Sequence, residues 1–237
     1  MKDRILIIGA SSDLGRELIE KIKNENTEII AHFYRKPIEK ENGILPLCCD
    51  LSDIVEVEKF IGQVLDIGLP NKMVFLAAER VKNIRFKDLN WNDFSLHLHI
   101  GLRAYFLILQ AILPKLSKDK EKSKKVVFML SSCVLNMPPL AMSAYVSAKY
   151  ALLGLMKSLV SEYRNANIQI NAISPSMIET SFLEHIDPKI VELNAYNHPL
   201  KRNAIPQDIV PWIEMLLSEK SDYLNGVNLP ITGGENF

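Results

Sequence analysis

The feature that most restricts the fold of this chain is the alternation of short apolar runs with segments of helical periodicity. Runs at residues 5–8, 73–76 and 126–130 are too short for buried helices and are bounded by glycine or polar residues. Between them lie amphipathic segments such as 54–65. This pattern predicts a parallel sheet with right-handed crossovers. We therefore expect a single doubly wound α/β domain over residues 1–237, with about seven parallel strands.

The first predicted strand leads into a glycine-containing turn, Gly9-Ala-Ser-Ser-Asp-Leu-Gly15, and then into a helical segment with Leu18, Ile19 and Ile22 on one face. In dinucleotide-binding folds of the Rossmann type, the backbone amides of such a turn bind a pyrophosphate at the positive end of the helix. Two glycines at this spacing are also compatible with a simple tight turn that binds nothing.

Two cations follow the second predicted strand, residues 28–33. An NAD site places an acidic residue near this point, whereas the 2′-phosphate of NADP requires cations. Arg35 and Lys36 therefore favour NADP(H) over NAD(H), with solvated loop cations as the alternative. The next strand, 44–47, follows too closely for an intervening helix. Asp50 then lies at the carboxyl edge of the sheet, where its carboxylate can accept a hydrogen bond from an adenine amino group.

A serine, a tyrosine and a lysine are brought together by the centre of the chain. Ser132 follows the strand at 126–130, and a helix that starts at Ser143 carries Tyr145 and Lys149 on one face. A nearby ammonium lowers the pKa of a phenol from its usual value of about 10 toward the range useful for acid–base catalysis. Such a site suits carbonyl reduction or alcohol oxidation. The alternative is a Tyr–Lys pair that occurs by chance on an amphipathic helix.

Composition excludes several other classes of protein. Lys plus Arg and Asp plus Glu number 28 each, so no basic field indicates a nucleic acid or an anionic membrane as partner. The three cysteines, with Cys48 and Cys49 adjacent, match neither a disulfide framework nor a metal site. His97 and His99 lie on different faces of their helix and are expected to be core or surface residues. The first apolar run is too short for a signal peptide, and no run predicts a transmembrane span. We therefore expect a cytoplasmic protein without a metal.

Residues 5–234 together resemble the short-chain dehydrogenase/reductase family, and are similar in particular to 3-oxoacyl-carrier-protein reductases. The resemblance rests on Ser132 thirteen residues before Tyr145, on the Tyr145–Lys149 pair, and on the motifs at 171–175, 225–226 and 232–234. It implies that Tyr145 is the proton donor, that Ser132 orients the carbonyl, and that Lys149 lowers the tyrosine pKa and binds the nicotinamide ribose. It also implies a small carbonyl or alcohol substrate and a homodimer or homotetramer formed through two long helices.

The residues predicted to contact the cofactor follow the carboxyl ends of the strands or lie on the helix after the fifth strand. They are Gly9, Ser11, Ser12, Asp13, Leu14, Gly15, Arg35, Lys36, Asp50, Leu51, Ala77, Ala78, Tyr145, Lys149, Pro175, Ser176, Ile178 and Thr180. The mixed segment 176–205 is predicted to form a lid over the substrate.

Several positions depart from the family pattern. Asp13 replaces a glycine, Leu-Ala-Ala-Glu at 76–79 replaces Asn-Asn-Ala-Gly, and Ser176 replaces a glycine. By the same resemblance, Gly101 falls where the family has an asparagine that holds a proton-relay water, and His97 or His99 is a candidate to replace it. These changes leave a second hypothesis open, in which the chain is a degenerate family member that binds a nucleotide or a partner without catalysis.

Overall fold

A computed structural model of the protein describes residues 2–120 and 122–235, so positions 1, 121, 236 and 237 of the predicted domain lie outside the described residues. The described chain forms a seven-stranded sheet in which all neighbouring strands are parallel, in the order β3-β2-β1-β4-β5-β6-β7. The predicted doubly wound sheet is therefore confirmed. The strands are β1 (Asp3–Ile8), β2 (Thr27–Phe33), β3 (Ile44–Cys48), β4 (Lys72–Phe75), β5 (Lys124–Met129), β6 (Ile168–Pro175) and β7 (Asn228–Ile231).

Helices cover both faces of the sheet, and each face has its own apolar core. The helices are α1 (Asp13–Ile22), α2 (Ile54–Ile67), α3 (Trp91–Leu98), α4 (Ala104–Leu116), α5 (Ser143–Glu162), α6 (Pro188–Asn197) and α7 (Pro206–Leu217). One core contains buried residues of α2, α4 and α5, and the other contains buried residues of α1 and α7. Burial on both faces explains why the strands are almost continuously apolar.

The strand order reverses between β1 and β4, which creates the crevice at which open α/β sheets bind ligands. Gly9, after β1, and Ala77, after β4, are in close contact there. A Cβ atom on Gly9 would lie 2.7 Å from the backbone nitrogen of Ala77. The glycine turn and the end of β4 therefore form the two walls of this crevice.

The segment 86–116, whose apolar residues recur at helical spacing, is divided into several elements in the structure. Its start is a separate 3₁₀ turn at Phe86–Asp88, and α3 begins only after Asn90, whose side chain accepts a hydrogen bond from the Asp93 amide at 2.8 Å. Between α3 and α4 lies a π-helical segment, His99–Arg103, which contains Gly101. Single π turns inside helices are frequent at functional sites.

The stretch Trp91–Leu116 is long and apolar enough to cross a membrane by length and composition, which the sequence analysis did not predict. Core helices of soluble proteins can have the same length and apolar composition. Here Tyr105, Ile108 and Ile112 are almost completely buried and belong to the core on one face of the sheet. The apolar character of this stretch is therefore explained by its packing on the sheet.

Candidate functional site

The glycine turn has the shape required for a phosphate-binding loop. Gly9 has a φ of +88°, and a Cβ on Gly15 would lie 2.5 Å from the carbonyl oxygen of Gly9. Neither position tolerates a side chain. Ser12 caps α1, since its hydroxyl accepts a hydrogen bond from the Gly15 amide at 3.0 Å and donates one to the Gly9 carbonyl at 2.7 Å. These residues fit the pyrophosphate of a dinucleotide.

A buried histidine on β2 fixes this turn, and the sequence analysis missed it. The Gly9 amide donates to His32 Nδ1 at 3.0 Å, and His32 Nε2 lies 3.0 Å from the Cys49 carbonyl oxygen. Burial lowers the pKa of His32 to about 4, so the ring is neutral and donates through Nε2. A histidine within an otherwise apolar strand was the available signal.

The predicted cations Arg35 and Lys36 follow the carboxyl end of β2, and Asp50 follows that of β3. Arg35 and Lys36 are exposed, and the Arg35 guanidinium lies 5.1 Å from the centre of the Tyr34 ring. Asp50 Oδ1 accepts hydrogen bonds from the Ser52 amide at 2.8 Å and from the Ser52 hydroxyl at 2.7 Å. Burial alone raises the pKa of Asp50, but the hydrogen bonds from Ser52 and Tyr34 lower it below its usual value. The carboxylate is therefore charged and oriented.

Arg16 is a further residue of this region that the sequence analysis did not single out. Its Nε donates to the Ser11 carbonyl at 3.3 Å and its guanidinium donates to the Pro37 carbonyl at 3.1 Å. It thereby connects the glycine turn with the loop that carries Arg35 and Lys36. An arginine directly after Gly15 was the signal in the sequence.

Some predicted cofactor contacts can involve the backbone only. The side chains of Leu14 and Leu51 are buried in the two apolar cores. Ala77 and Ala78 follow β4, and the carbonyl oxygen of Ala77 accepts a hydrogen bond from the Tyr105 hydroxyl. These small or buried side chains leave the backbone accessible along the crevice.

Asp13 does not cap α1, because Ser12 occupies that role. Its carboxylate accepts a hydrogen bond from the Ser181 amide at 2.5 Å and thus joins the start of α1 to the segment after β6. Glu79 is the second added carboxylate. Burial raises the pKa of Glu79, and the neighbouring cations Lys82 and Arg35 oppose that shift.

The predicted contacts after β6 lie where this strand meets the base of the segment 176–205. β6 ends at Pro175, and the Ser176 amide donates to the Ile231 carbonyl at 3.2 Å. Ile178 pairs with Ala204 in a parallel bridge that closes the base of the segment. The Thr180 hydroxyl donates weakly to the Ile178 carbonyl at 3.4 Å.

Tyr145 and Lys149 lie together on α5 at the same edge of the sheet. The Lys149 ammonium is 5.4 Å from the centre of the Tyr145 ring and donates a hydrogen bond to the Met129 carbonyl at 2.7 Å. Burial lowers the pKa of Lys149 to about 8, partly offset by Cys133. Ser132 begins a 3₁₀ turn that directly follows the end of β5. The three predicted catalytic residues are therefore positioned by two adjacent elements.

The pKa of Tyr145 differs from the expectation. Burial raises it above its usual value, and Cys133 adds to this, whereas a hydrogen bond with the Ser131 side chain lowers it. The predicted lowering by Lys149 is not observed because the ammonium is directed to the Met129 carbonyl. Ser131, which the sequence analysis did not single out, is thus the serine that acts on the phenol.

His97 lies against Tyr145, whereas His99 does not. The centres of the His97 and Tyr145 rings are 6.1 Å apart and their planes are inclined by 81°. Burial, Lys82 and Lys149 lower the pKa of His97 to about 4, so its ring is neutral. Gly101 lies one turn further along, and a Cβ placed on it would meet no atom within 4 Å. Gly101, which stands at the position of the family's asparagine, therefore has open space beside it, one helical turn from the neutral His97.

The segment 176–205 reaches the catalytic residues. The ring of Phe182 lies 6.4 Å from that of Tyr145. Arg80, after β4, donates to Glu184 at 3.0 Å and contacts His185 Nε2 at 2.8 Å. Hydrogen bonds of Asp13 and Arg80 therefore connect the segment 176–205 to the two walls of the crevice.

The described residues contain no group of three His, Cys, Asp or Glu side chains placed to hold a metal ion. Cys48, Cys49 and Cys133 are free thiols.

The sheet and the glycine turn at its switch point define a Rossmann-type dinucleotide-binding protein. A family model described as Enoyl-(Acyl carrier protein) reductase matches residues 12–236. The chain therefore belongs to this family, within the short-chain dehydrogenase/reductases, and it is an NAD(P)-dependent oxidoreductase.

Individual relatives agree with this assignment. The chain is 29% identical over 248 residues to "Oxidoreductase UcpA" of Salmonella typhimurium, covering 98% of this chain and 94% of the relative. It is 25% identical over 240 residues to "Carbonyl reductase [NADPH] 2" of Sus scrofa, covering 98% and 95%. A solved structure of "4-hydroxyisoleucine dehydrogenase complexed with NADH" is 26% identical, with a TM-score of 0.89 and 98% coverage of both chains.

Proposed function

We propose that this oxidoreductase uses NADP(H) to interconvert a carbonyl and an alcohol group of a small molecule, with Ser132, Tyr145 and Lys149 as catalytic residues. The observation that carries the proposal is the position of Tyr145 and Lys149. Both lie on one face of α5, and the Lys149 ammonium donates to the Met129 carbonyl at the end of β5, the strand next to β4. The nicotinamide supplies or accepts the hydride when it is bound.

The side chains of Ser132, Tyr145 and Lys149 have separate roles in the proposed reaction. The Ser132 hydroxyl binds the carbonyl oxygen, and the Tyr145 hydroxyl donates its proton to that oxygen during reduction and accepts one during oxidation. Lys149 binds the nicotinamide ribose with its ammonium, which lies 5.4 Å from the centre of the Tyr145 ring. Its pKa of about 8 leaves the side chain mainly protonated at neutral pH. We further propose that neutral His97, in contact with Tyr145, takes the place of the missing asparagine in proton relay.

The preference for NADP(H) rests on the cations of this chain. Both coenzymes occur among the relatives. The pig relative is named as an NADPH carbonyl reductase, and the 4-hydroxyisoleucine dehydrogenase was solved with NADH. Arg35 and Lys36 are exposed after β2, and Arg16 bridges their loop to the glycine turn. A 2′-phosphate in this region would meet cations.

Three further properties belong to the same proposal. The segment 176–205 acts as a substrate lid, supported by the contact of Phe182 with Tyr145. The protein forms a homodimer or homotetramer through α4 and α5, supported by the exposure of Phe106 and Tyr150 on these helices. It functions in the cytoplasm. The alternative of a degenerate, non-catalytic member is not favoured, because its relatives are named as reductases and dehydrogenases.

A titration with NADPH and NADH, followed by cofactor fluorescence, tests the coenzyme. We expect tighter binding of NADPH, and in Arg35→Ala we expect this preference to fall by about tenfold, the value of one charge-assisted contact. Tyr145→Phe tests the chemistry against Tyr223→Phe, at a fully exposed position outside the proposed site and interface. The first change should remove most turnover and leave NADPH affinity nearly unchanged, while the second should affect neither. Failure of both coenzymes to bind up to millimolar concentration would contradict the proposal.

A further inference from the structure

Two small adjoining spaces share a wall that contains His97. The first is also lined by Ser143 and Tyr145, and the second by Glu79 and Asp93. Each has room for about one water molecule, which is too little for a substrate. The two spaces therefore form a row of water-sized sites that leads from the phenol of Tyr145 past His97 to two carboxyl groups.

The polar groups around these spaces suit bound water. A buried water makes about three hydrogen bonds, usually to polar groups that lack another partner. The Ser143 hydroxyl oxygen in the first space is such a group, because it is buried and has no hydrogen-bond partner among the residues that the structure describes. Burial lowers the pKa of His97 to about 4, so its ring is neutral. A neutral imidazole has one acceptor and one donor nitrogen, so His97 can accept a proton from one water while it donates another to the second.

The two carboxyl groups of the second space differ in their ability to take a proton. Asp93 accepts hydrogen bonds from the Lys82 ammonium at 3.0 Å and from the Asn90 side chain at 2.6 Å, and these contacts lower its pKa. Glu79 is half-buried, and burial raises its pKa although neighbouring cations oppose that shift. Glu79 is therefore the carboxyl group of this space that binds a proton more readily.

We propose that one water in each space, together with His97, conducts protons between Tyr145 and Glu79, and that Glu79 exchanges them with solvent. This inference rests on the proposed carbonyl–alcohol reaction. In oxidation the carbinol C–H bond breaks, its electron pair leaves with the hydrogen as a hydride to the nicotinamide, and a C=O bond forms. The substrate hydroxyl proton passes to the Tyr145 oxygen while the phenol gives its own proton to the first water. His97 and the second water each pass on one proton, and the Glu79 carboxylate binds the last one. In reduction every transfer is reversed.

Such a route suits the surroundings of Tyr145. Burial raises the pKa of Tyr145 above its usual value, so a free phenolate is costly at this position. A phenol that accepts one proton while it gives up another remains neutral throughout. Lys82, which lines both spaces, is exposed, so the route lies close to solvent, into which Glu79 can release its proton.

A crystal structure of the whole protein that resolves ordered water tests the route without a substrate. We expect one water in each space, the first within hydrogen-bond distance of the Ser143 hydroxyl and both within that distance of the His97 ring. Ser143→Ala should displace the first water, whereas Ser147→Ala, on the same helix and outside both spaces, should leave it in place. A space without water, or waters out of reach of His97, would overturn the proposal.

The kinetic test uses a compound that the wild type turns over, found in a panel of aldehydes, ketones and secondary alcohols with NADPH or NADP⁺. With saturating coenzyme, Glu79→Gln should lower kcat for oxidation by about tenfold and increase the solvent deuterium isotope effect, because proton release becomes slower. Added imidazole should restore most of the loss, since a soluble base can take the proton in place of the carboxylate. Asp88→Asn, at an exposed position of the same segment and outside both spaces, is the matched control and should change neither value.

The outcomes separate this inference from the proposed function. An unchanged kcat and isotope effect in Glu79→Gln, or a loss that imidazole does not restore, would overturn the route and leave the carbonyl–alcohol reaction intact. If the wild type turns over no compound of the panel, the proposed reaction fails, and the crystallographic test alone decides whether the two water sites and their contacts with His97 exist.

Discussion

The carboxylate of Asp13 accepts a hydrogen bond from the backbone amide of Ser181 at 2.5 Å. This contact connects the first turn of α1, the proposed binding site of the pyrophosphate, with the start of the segment 176–205. The family pattern has a glycine at this position, so the contact is a property of this chain. Asp13 places a negative charge at the N-terminus of α1. The same N-terminus attracts the phosphates of the coenzyme, which the Asp13 carboxylate repels.

Removal of this charge is expected to tighten coenzyme binding. Asp13→Asn keeps an acceptor for the Ser181 amide and removes the repulsion, so the Kd for NADPH should fall by about tenfold, which corresponds to about 1.4 kcal/mol. Fluorescence titration at low and high salt measures it, and the difference between the two proteins should shrink at high salt. Glu20→Gln, at an exposed position of α1, is the charge-matched control. Equal affinities of Asp13→Asn and the wild type at low salt would contradict this prediction.

The two serines after β5 are expected to have separable roles. Ser131→Ala removes the hydrogen bond that lowers the pKa of Tyr145, so the pH at which oxidation becomes half-maximal should rise. Ser132→Ala should instead lower kcat by about a hundredfold, the value of one positioned donor to the developing charge, without moving the pH profile. Steady-state rates of both variants from pH 6 to 10 distinguish these roles. If Ser131→Ala caused the larger loss of kcat, the assignment of the carbonyl to Ser132 would be wrong.

Most of the fold could be predicted from the sequence because strand and helix patterns repeat without interruption. Tyr145 and Lys149 could be placed because their separation fits one helix face. The contacts of His32 with Gly9 and Cys49, and of Asp13 with Ser181, join elements distant along the chain, and no local pattern specifies such pairs. The π turn at His99–Arg103 shifts the register of its helix, which periodicity alone did not reveal.

His97 is expected to contribute to proton transfer, whereas His99 is not. Of the two histidines, His97 is the one whose ring lies against Tyr145. His97 and His99 lie on the same stretch of helix, so His99→Gln is a matched control for His97→Gln. His97→Gln should lower kcat by at least about tenfold, alter its pH dependence, and increase the solvent deuterium isotope effect, because proton transfer becomes slower. His99→Gln should retain wild-type values. An unchanged pH dependence and an unchanged isotope effect in His97→Gln would refute the relay.

The buried, neutral His32 makes the stability of the protein depend on pH. Its pKa is about 4 in the folded chain and about 6.5 when unfolded, so the unfolded state binds more protons between these values. The contribution of His32 is complete above pH 6.5 and is lost as the pH falls toward 4. Between pH 7 and pH 5 the loss is about 2 kcal/mol for this residue.

Urea unfolding at pH 7 and pH 5 measures this dependence. His32→Gln should be less stable than the wild type at pH 7, because the Gly9 and Cys49 contacts are altered, yet its stability should fall less between the two pH values. His185→Gln, at a position whose ring contacts the Arg80 guanidinium at 2.8 Å, should follow the wild type. A pH dependence in His32→Gln as steep as that of the wild type would show that other groups cause the loss. Because His32 also fixes Gly9, the same variant should weaken coenzyme binding at pH 7, where the folded protein predominates.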